Sequence, residues 1–458
     1  MAISGILTTQ NHYNQRASGL WPTSFTLATL PNTQWISTLS TTGTNEYYSS
    51  VKVDSSGNVY CLGLLNSTDI VLVKYNSAGT IQFQKIYTIS STSTNLGFAG
   101  NGLFIDSSDN LYMTGGYTLS GSRGFLIKTN SSGTILYQRS FIANVDHSMQ
   151  PAGVSVDSTG NVYIIGTSQG FSANLGGQIA FLTKFNSSGT NQWSINFDSR
   201  TSTGTGLAID SSNNVYMTGY STSGGGNSSV NQQYVAKINS AGSSLWQAGV
   251  TSSSGYVLGQ GIALDSSDNV YVTGGHYSSY YSFYSVKVNS GGSSLAWGKV
   301  YDSSGSFGGP VAVDSSGNSY TGAYSQSGND NMSVIVKHNS GGTLQWQRTI
   351  NKVNTTDSDF RTALHIDNTG DFYGVGSATN TTDQDSIVYK LPLDGTKTGT
   401  YTVGGRSIVY GSSSFSTSGV SFSLGSNPSH TLNTGGLSVA TPTFSVSDIT
   451  ATSSTTTI

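Results

Sequence analysis

Residues 311–320 read VAVDSSGNSY, and six other stretches of the 458-residue chain repeat this pattern. Each copy contains an aspartate, and successive aspartates stand 49 to 55 residues apart. The seven are Asp54, Asp106, Asp157, Asp210, Asp265, Asp314 and Asp367. A repeat of this length indicates stacked supersecondary units.

The residues around each aspartate predict a β-hairpin. Three positions after it stands a Gly, Asp or Asn, all types that tolerate a left-handed backbone, and six positions after it stands a tyrosine in every copy. Apolar residues alternate before the aspartate, and β-formers follow the turn, as in residues 270–273, which read VYVT. We expect the carboxylate to accept backbone N–H bonds within the turn.

A second hairpin follows in each unit, 20 to 27 residues after the aspartate, and a lysine marks it. In six copies the pattern is Lys-x-Asn, then a glycine five residues after the lysine, then a bulky aromatic residue. We expect these lysines to bond turn carbonyls or the adjacent hairpin. They are Lys74, Lys128, Lys184, Lys237, Lys287, Lys337 and Lys390.

Two hairpins in each of seven units, with no clear helical segment, are typical of a β-propeller. The motif resembles the SBBP-type β-propeller repeat and, more distantly, NHL-repeat propellers. We therefore predict an all-β fold, a seven-bladed β-propeller of four-stranded antiparallel blades, spanning residues 33–402 between N- and C-terminal extensions.

The seventh copy departs from the pattern. Residues 391–395 read LPLDG, and no tryptophan follows them. Residues 33–36, TQWI, resemble 344–347, LQWQ, yet precede the first repeat. We predict that this N-terminal strand near Trp35 closes the last blade; in the alternative, residues 399–403 complete it.

Composition narrows the function classes. Only 9% of residues are charged, the net charge is −3, and the basic residues are scattered along the chain. We therefore expect no nucleic-acid partner, because binding to duplex DNA requires clustered Lys and Arg. The single cysteine, Cys61, excludes an intrachain disulfide. The first residues lack the pattern of a signal peptide, and no apolar stretch is long enough to span a membrane. The simplest inference is a cytoplasmically made, non-secreted protein, although a virion component would satisfy these observations equally well.

The two extensions differ from the repeats. We interpret residues 1–32 as an attachment arm, or alternatively as a leader that packs along the propeller. Residues 403–458 are rich in Ser, Thr and Gly, and 418–424 and 444–449 have period-two patterning. We expect strands there that pair with another surface, with both ends of the chain held by neighbouring subunits; the alternative is a disordered low-complexity tail.

One loop stands out as a candidate binding site. Residues 276–284 read HYSSYYSFY, an aromatic density that suits stacking on sugar rings or contact with another protein. In the alternative, these aromatics begin the third strand and pack between blades. The predicted ligand-binding residues are His276, Tyr277, Tyr280, Tyr281, Phe283 and Tyr284.

Catalytic, metal and cofactor sites find little support in the sequence. A carboxylate repeated in every unit indicates scaffolding, and none of the aspartate turns offers the distal bidentate Glu of a Ca²⁺ loop. The six histidines show no pairing at metal-ligand spacing. We expect no metal, no cofactor and no enzymatic activity.

Residues 394–405, DGTKTGTYTVGG, and the Ser/Thr-rich tail are similar to the ends of propeller-bearing virion proteins of marine tailed bacteriophages. The resemblance implies a tail-fibre, tail-associated or head-decoration protein that displays its propeller for host or glycan adhesion. Its expected partners are other virion proteins, contacted through the extensions in a homo-oligomer or larger assembly, and host-surface glycan. The alternatives are a soluble lectin-like module and, second, a glycan-active enzyme.

Overall fold

The structure is a computed structural model of the chain. It describes residues 33–457 except 41–45, 67, 90–93, 98–100, 119–121, 144–147, 170–177, 199–200, 224–229, 303–306, 328–329, 353–362, 368–369, 380–383, 404–405, 418, 427–430, 435–437, 441–443 and 449–451. The predicted attachment arm, residues 1–32, and the glycine-rich loop 224–229 lie outside the described residues. Gln34–Ile458 forms one compact unit.

The first 29 described strands build the repeats. In chain order they are β1 (Trp35–Ser40), β2 (Glu46–Val53), β3 (Val59–Leu65), β4 (Asp69–Tyr75), β5 (Ile81–Ile89), β6 (Thr94–Gly97), β7 (Leu103–Ile105), β8 (Leu111–Thr118), β9 (Ser122–Thr129), β10 (Ile135–Ile142), β11 (Met149–Val156), β12 (Val162–Gln169), β13 (Gln178–Phe185), β14 (Asn191–Asp198), β15 (Ser202–Ile209), β16 (Val215–Ser223), β17 (Val230–Ile238), β18 (Ser244–Ser252), β19 (Tyr256–Leu264), β20 (Val270–Tyr277), β21 (Tyr281–Val288), β22 (Leu295–Asp302), β23 (Phe307–Val313), β24 (Ser319–Ser327), β25 (Asp330–His338), β26 (Leu344–Lys352), β27 (Ala363–Ile366), β28 (Asp371–Thr379) and β29 (Gln384–Pro392).

Consecutive strands pair antiparallel into seven sheets. Blade one is β2–β5, blade two β6–β10 with its first strand in two pieces, blade three β11–β14, blade four β15–β18, blade five β19–β22 and blade six β23–β26. The first strands contact one another in a closed circle, from β2 through β7, β11, β15, β19 and β23 to β27 and back to β2. The fold is a seven-bladed β-propeller, which confirms the predicted fold class.

The seventh blade draws its strands from both parts of the chain. Its first three strands are β27, β28 and β29, and β1 pairs antiparallel with β29 as the fourth. Trp35 lies opposite Lys390, the same register that places Trp193 opposite Lys184 in blade three. The alternative in which residues 399–403 finish this blade is wrong, because that segment pairs within the sheet of blade six.

The turn chemistry explains why each hairpin forms where it does. The residue three positions after each aspartate has a positive φ between 59° and 100°, a conformation that Gly, Asn and Asp adopt at low cost. In the second hairpin of every blade a glycine occupies the equivalent position, with φ between 66° and 88°. The left-handed residue fixes the register of the flanking strands.

Hydrophobic side chains from the two faces of each sheet fill the spaces between blades. The core therefore consists of separate clusters, each built from two neighbouring blades, in place of one central mass. The repeat tyrosines are almost completely buried in these clusters. Close approach also requires glycine: a Cβ on Gly219 would lie 1.8 Å from the carbonyl oxygen of Thr203 on the adjacent strand.

The described residues of the C-terminal extension form eight further strands. They are β30 (Gly399–Val403), β31 (Arg406–Ser412), β32 (Ser416–Thr417), β33 (Phe422–Ser426), β34 (Thr431–Thr434), β35 (Ser438–Ala440), β36 (Phe444–Asp448) and β37 (Thr452–Thr457). We call β31–β37 the belt, because each of its strands pairs antiparallel with the outermost strand of a different blade.

The belt runs round the ring in the direction opposite to the repeats. It starts on blade six and continues on blades five, four, three, two and one, before β37 pairs with β1 in blade seven. Its last strand meets the strand that precedes the belt, since Thr456 Oγ1 donates a hydrogen bond of 2.7 Å to the carbonyl of Thr402 in β30. The described strands of the extension thus pair with the chain's own ring, and the expected contact with neighbouring subunits stays a prediction. A linked segment reaches these edges at high effective concentration, which favours this pairing.

Candidate functional site

The strand order divides the loops of the propeller between two faces. The aspartate turns and the second-hairpin turns lie on one face, which we call the turn face. The loops between second and third strands, and those that link blades, lie on the opposite loop face, because antiparallel strands alternate in direction.

On the turn face, the repeated aspartate and lysine form an ion pair within blades one, four and five, and in blade seven Lys390 pairs with Asp371. In blade four, the carboxylate of Asp210 accepts the backbone N–H of Asn214 at 2.8 Å and lies 3.0 Å from Lys237 Nζ. Burial works to raise the pKa of Asp210, but the hydrogen bonds from Asn214 and then the contact with Lys237 hold it below its ordinary value. In all seven blades the lysine also lies over the ring of the repeat tyrosine, 4.7 to 5.8 Å from its centroid.

The same side chains fasten each blade to the next. Lys184 Nζ and Trp193 Nε1 in blade three both donate to the carbonyl of Ser240 in blade four, at 2.9 and 3.2 Å. Trp35 Nε1 makes the equivalent bond across the ring closure, to Ser77 O in blade one at 3.1 Å. These donors and acceptors are engaged with one another, so the turn face holds the ring together.

The loop face of blade five carries a row of tyrosines. Tyr256 lies opposite Tyr277 in the first strand pair, and Tyr277 lies opposite Tyr281 in the second. Their ring centroids are 4.9 and 4.6 Å apart. Tyr280, at the tip of the connecting loop, is 45% exposed. We call Tyr256, Tyr277, Tyr280 and Tyr281 the tyrosine patch.

The other predicted ligand residues lie beneath this surface. His276 is buried, and its Nε2 stands 2.7 Å from Ser254 O and 3.0 Å from Ser252 Oγ, so it braces the neighbouring loop. Phe283 is buried and stacks on Tyr301 with centroids 4.9 Å apart. Tyr284 is buried too, with its hydroxyl 2.5 Å from Gln233 Oε1. Of the six predicted residues, only Tyr277, Tyr280 and Tyr281 reach the surface. Tyr256 was not among the residues predicted from the sequence.

The belt fixes the loop beside the patch. Ser253 N donates to Ser421 O at 2.9 Å, and Ser421 N donates to Ser253 Oγ at 3.2 Å. Gly255 has a φ of 74° and lies so close to the carbonyl of Tyr277 that a Cβ there would be 1.9 Å from its oxygen. Both sides of the patch are therefore held in place without a ligand.

Two basic side chains lie on the first strands, nearest the ring axis. Burial lowers the pKa of Lys52 to about 8, and burial together with repulsion from Lys52 lowers the pKa of His365 to about 3. Within the described part of the chain, no group of three or more His, Cys, Asp or Glu side chains is arranged to hold a metal ion. Nor do these residues include a helix long and apolar enough to cross a membrane.

The fold and the repeated turn network define a β-propeller repeat protein. Residues 145–172 and 195–227 match the family model described as SBBP, beta-propeller repeat. These segments cover the first strands of blade three and the end of that blade with the beginning of blade four. No curated protein matches the chain.

Several solved structures are similar to the chain. The polysaccharide lyase Uly1 is 9% identical over 76% of this chain and 90% of its own, with a TM-score of 0.46. The polysaccharide lyase PL25-ulvanlyase is 12% identical over 75% and 91%, with a TM-score of 0.49. The Nup133 β-propeller domain of Vanderwaltozyma polyspora is 9% identical over 80% and 99%, with a TM-score of 0.40.

The expectation of no enzymatic activity is corrected here, because two of these similar structures are polysaccharide lyases. The likenesses assign no activity to this chain. A carboxylate repeated for scaffolding does not prevent a propeller from carrying a catalytic site elsewhere.

Proposed function

We propose that the chain is an adhesion protein that binds carbohydrate through the tyrosine patch on the loop face of blade five. The observation that carries the proposal is the row Tyr256, Tyr277 and Tyr281, with Tyr280 exposed beside it. Tyrosine combines an apolar ring, which packs on the C–H face of a sugar, with a hydroxyl that bonds sugar hydroxyls.

The surroundings of the patch support a preformed site. His276 and the belt residue Ser421 hold the loop beside Tyr256, so little conformational freedom is lost when a ligand binds. Residues 251–258 and 276–284 contain no Lys, Arg, Asp or Glu. The patch therefore favours neutral sugars over sulfated or uronic-acid sugars, whose charge would find no partner there.

The particle on which this adhesion would act is a finer proposal. Residues 394–405 and the Ser/Thr-rich tail support a bacteriophage virion protein, with residues 1–32 contacting other virion proteins and a host-surface glycan as ligand. A soluble lectin-like propeller would use the same patch without a particle. Sedimentation with purified phage particles, or its absence, distinguishes the two.

Binding is tested with the full chain on a panel of immobilised neutral, sulfated and uronic-acid polysaccharides. Each aromatic contact is worth on the order of 1 kcal/mol, so Tyr280→Ala combined with Tyr281→Ala should weaken binding of the preferred neutral glycan roughly tenfold or more. Leu136→Ala is the control, because Leu136 is also an exposed large hydrophobic side chain, at 52% against 45% for Tyr280, but lies in blade two.

Two results would overturn the proposal. One is that no glycan of the panel binds; the other is that the control weakens binding as much as the double variant. Polysaccharide chain length is followed in the same incubations. Binding without shortening supports adhesion, whereas shortening would replace adhesion with a glycan-active enzyme.

A further inference from the structure

The outer rim of the propeller is covered by one continuous segment. The belt, β31–β37, adds one strand to the outer edge of each of the seven blades. In blade seven that edge is β1, which pairs with β37. The individual pairings are short, from two residue pairs for β32 to six for β37. A strand at the edge of a sheet presents unpaired N–H and C=O groups, and here the belt pairs with part of that edge on every blade.

Two phenylalanines anchor the belt between blades. Phe415 is held by a single side chain, since its N–H donates to Gln347 Oε1 at 2.9 Å and its carbonyl accepts from Gln347 Nε2 at 3.0 Å. Its ring lies edge-on to Phe283 with centroids 6.1 Å apart. The belt therefore contacts the blades through side chains as well as through backbone pairing.

The second anchor occupies a space that a glycine leaves open. The ring of Phe422 packs on Tyr284 with centroids 5.5 Å apart. A Cβ on Gly298, in the outermost repeat strand of blade five, would lie 2.5 Å from the Phe422 ring. Contacts this short do not occur between real atoms, so any other residue at 298 would displace the anchor.

The belt is joined to the ring covalently at one end, through β30, which follows β29 in the chain and pairs with β31. The pairings of the belt with the blades are non-covalent. The belt therefore relates to the rim as an extended peptide relates to the sheet edge of a strand-accepting domain.

We propose that the rim of the ring is a strand-accepting surface, that residues 406–457 are its ligand, and that a second copy of this chain can supply the same segment. Identical copies carry identical rims and belts, so a belt from another ring makes the same bonds in the same register. Because each pairing is short, one belt strand can leave its blade while the others stay paired. A strand of the incoming belt can then pair with the exposed blade edge. Within one chain the intramolecular belt prevails by effective concentration.

The experiment uses the full chain with a protease recognition sequence inserted between residues 404 and 405 and cut after folding. Both fragments should remain together on gel filtration as one ring with one belt. When the cut protein is mixed with an isotope-labelled cut sample, native mass spectrometry should show hybrids of unlabelled ring and labelled belt. Separation of the fragments after cutting, or failure of hybrids to form, overturns the proposal.

A pair of glycine variants tests the anchor. Gly298→Ala should speed the formation of hybrids about tenfold, which corresponds to roughly 1.4 kcal/mol. Gly291→Ala, whose Cβ would meet nothing closer than 3.8 Å, should leave the rate unchanged. If Gly298→Ala does not fold, Phe422→Leu replaces it, since it loses the ring contact without adding an atom to the rim. Equal rates in variant and control contradict the role of Phe422 as an anchor.

Discussion

Replacing Trp35 by alanine should weaken the protein more than the same change at any equivalent tryptophan. Trp35 is completely buried, packs on Tyr75 with centroids 5.6 Å apart and donates to Ser77 O, so it carries the contact between the last blade and the first. Truncation of a fully buried tryptophan costs about 3 to 5 kcal/mol. We expect about 4 kcal/mol for Trp35→Ala.

The matched control is Trp193→Ala. Trp193 occupies the same register in blade three and makes the same bond to the next blade, but it is only half-buried, so we expect about 2 kcal/mol. The free energy of unfolding is measured by urea titration followed by far-UV circular dichroism at pH 7, which does not depend on tryptophan emission. If Trp35→Ala costs no more than Trp193→Ala, the N-terminal strand does not close the ring as described.

Three further predictions concern stability. Because burial lowers the pKa of Lys52 from 10.5 to about 8, the unfolded chain holds a proton that the folded chain releases between these values; the free energy of unfolding should rise with pH across that window, and Lys52→Met should raise the melting temperature at pH 7. Burial lowers the pKa of His365 from 6.5 to about 3 and that of His338 to about 4. The free energy of unfolding should therefore fall as the pH drops below about 6.5, by roughly 1.4 kcal/mol per pH unit for each histidine. His365→Gln should reduce the slope of the free energy of unfolding against pH. Gly274→Ala places a Cβ 1.8 Å from a backbone carbonyl of the adjacent strand and should lower the urea midpoint strongly, whereas Gly275→Ala, which meets nothing within 4 Å, should leave it nearly unchanged.

Much of the ring can be predicted from the sequence, because each hairpin is specified by residues that lie close together in the chain. An aspartate followed three residues later by a residue that accepts positive φ specifies a turn, and the alternating residues on either side specify the two strands. Seven such turns leave few architectures available. The resemblance of residues 33–36 to 344–347 likewise points to the register that Trp35 adopts, because an equivalent position in a blade demands an equivalent side chain.

The strands of the belt and their pairing with the blades cannot be predicted from the sequence in the same way. Its strands are two to seven residues long and rich in Ser, Thr and Gly, so their sequence specifies extended structure only weakly. Which edge each strand joins is decided by the rim, through contacts such as Phe415 with Gln347 and Phe422 with the space beside Gly298. These partners lie far away in the chain, and neither residue of a pair signals the other.

The tyrosine patch was predicted from the sequence only in part. A run of aromatics in residues 276–284 marks the right loop, with Tyr277, Tyr280 and Tyr281 at the surface. Phe283 and Tyr284 lie further along β21 and are buried on opposite faces of the sheet, because both faces pack against neighbouring blades. Tyr256 joins them through cross-strand register, 21 residues from Tyr277 in sequence. Register between strands depends on the bulge at residues 259–261, which a search for aromatic runs does not detect.

The most direct test of the functional account is amide hydrogen exchange on the full chain, with and without the neutral polysaccharide that binds it best. We predict slower exchange in the ligand-bound state confined to residues 251–258 and 276–284 on the loop face, with the seven aspartate turns unchanged. Protection at the aspartate turns, or on the loop face of another blade with none around Tyr256 and Tyr280, would contradict the assignment of the tyrosine patch as the binding site.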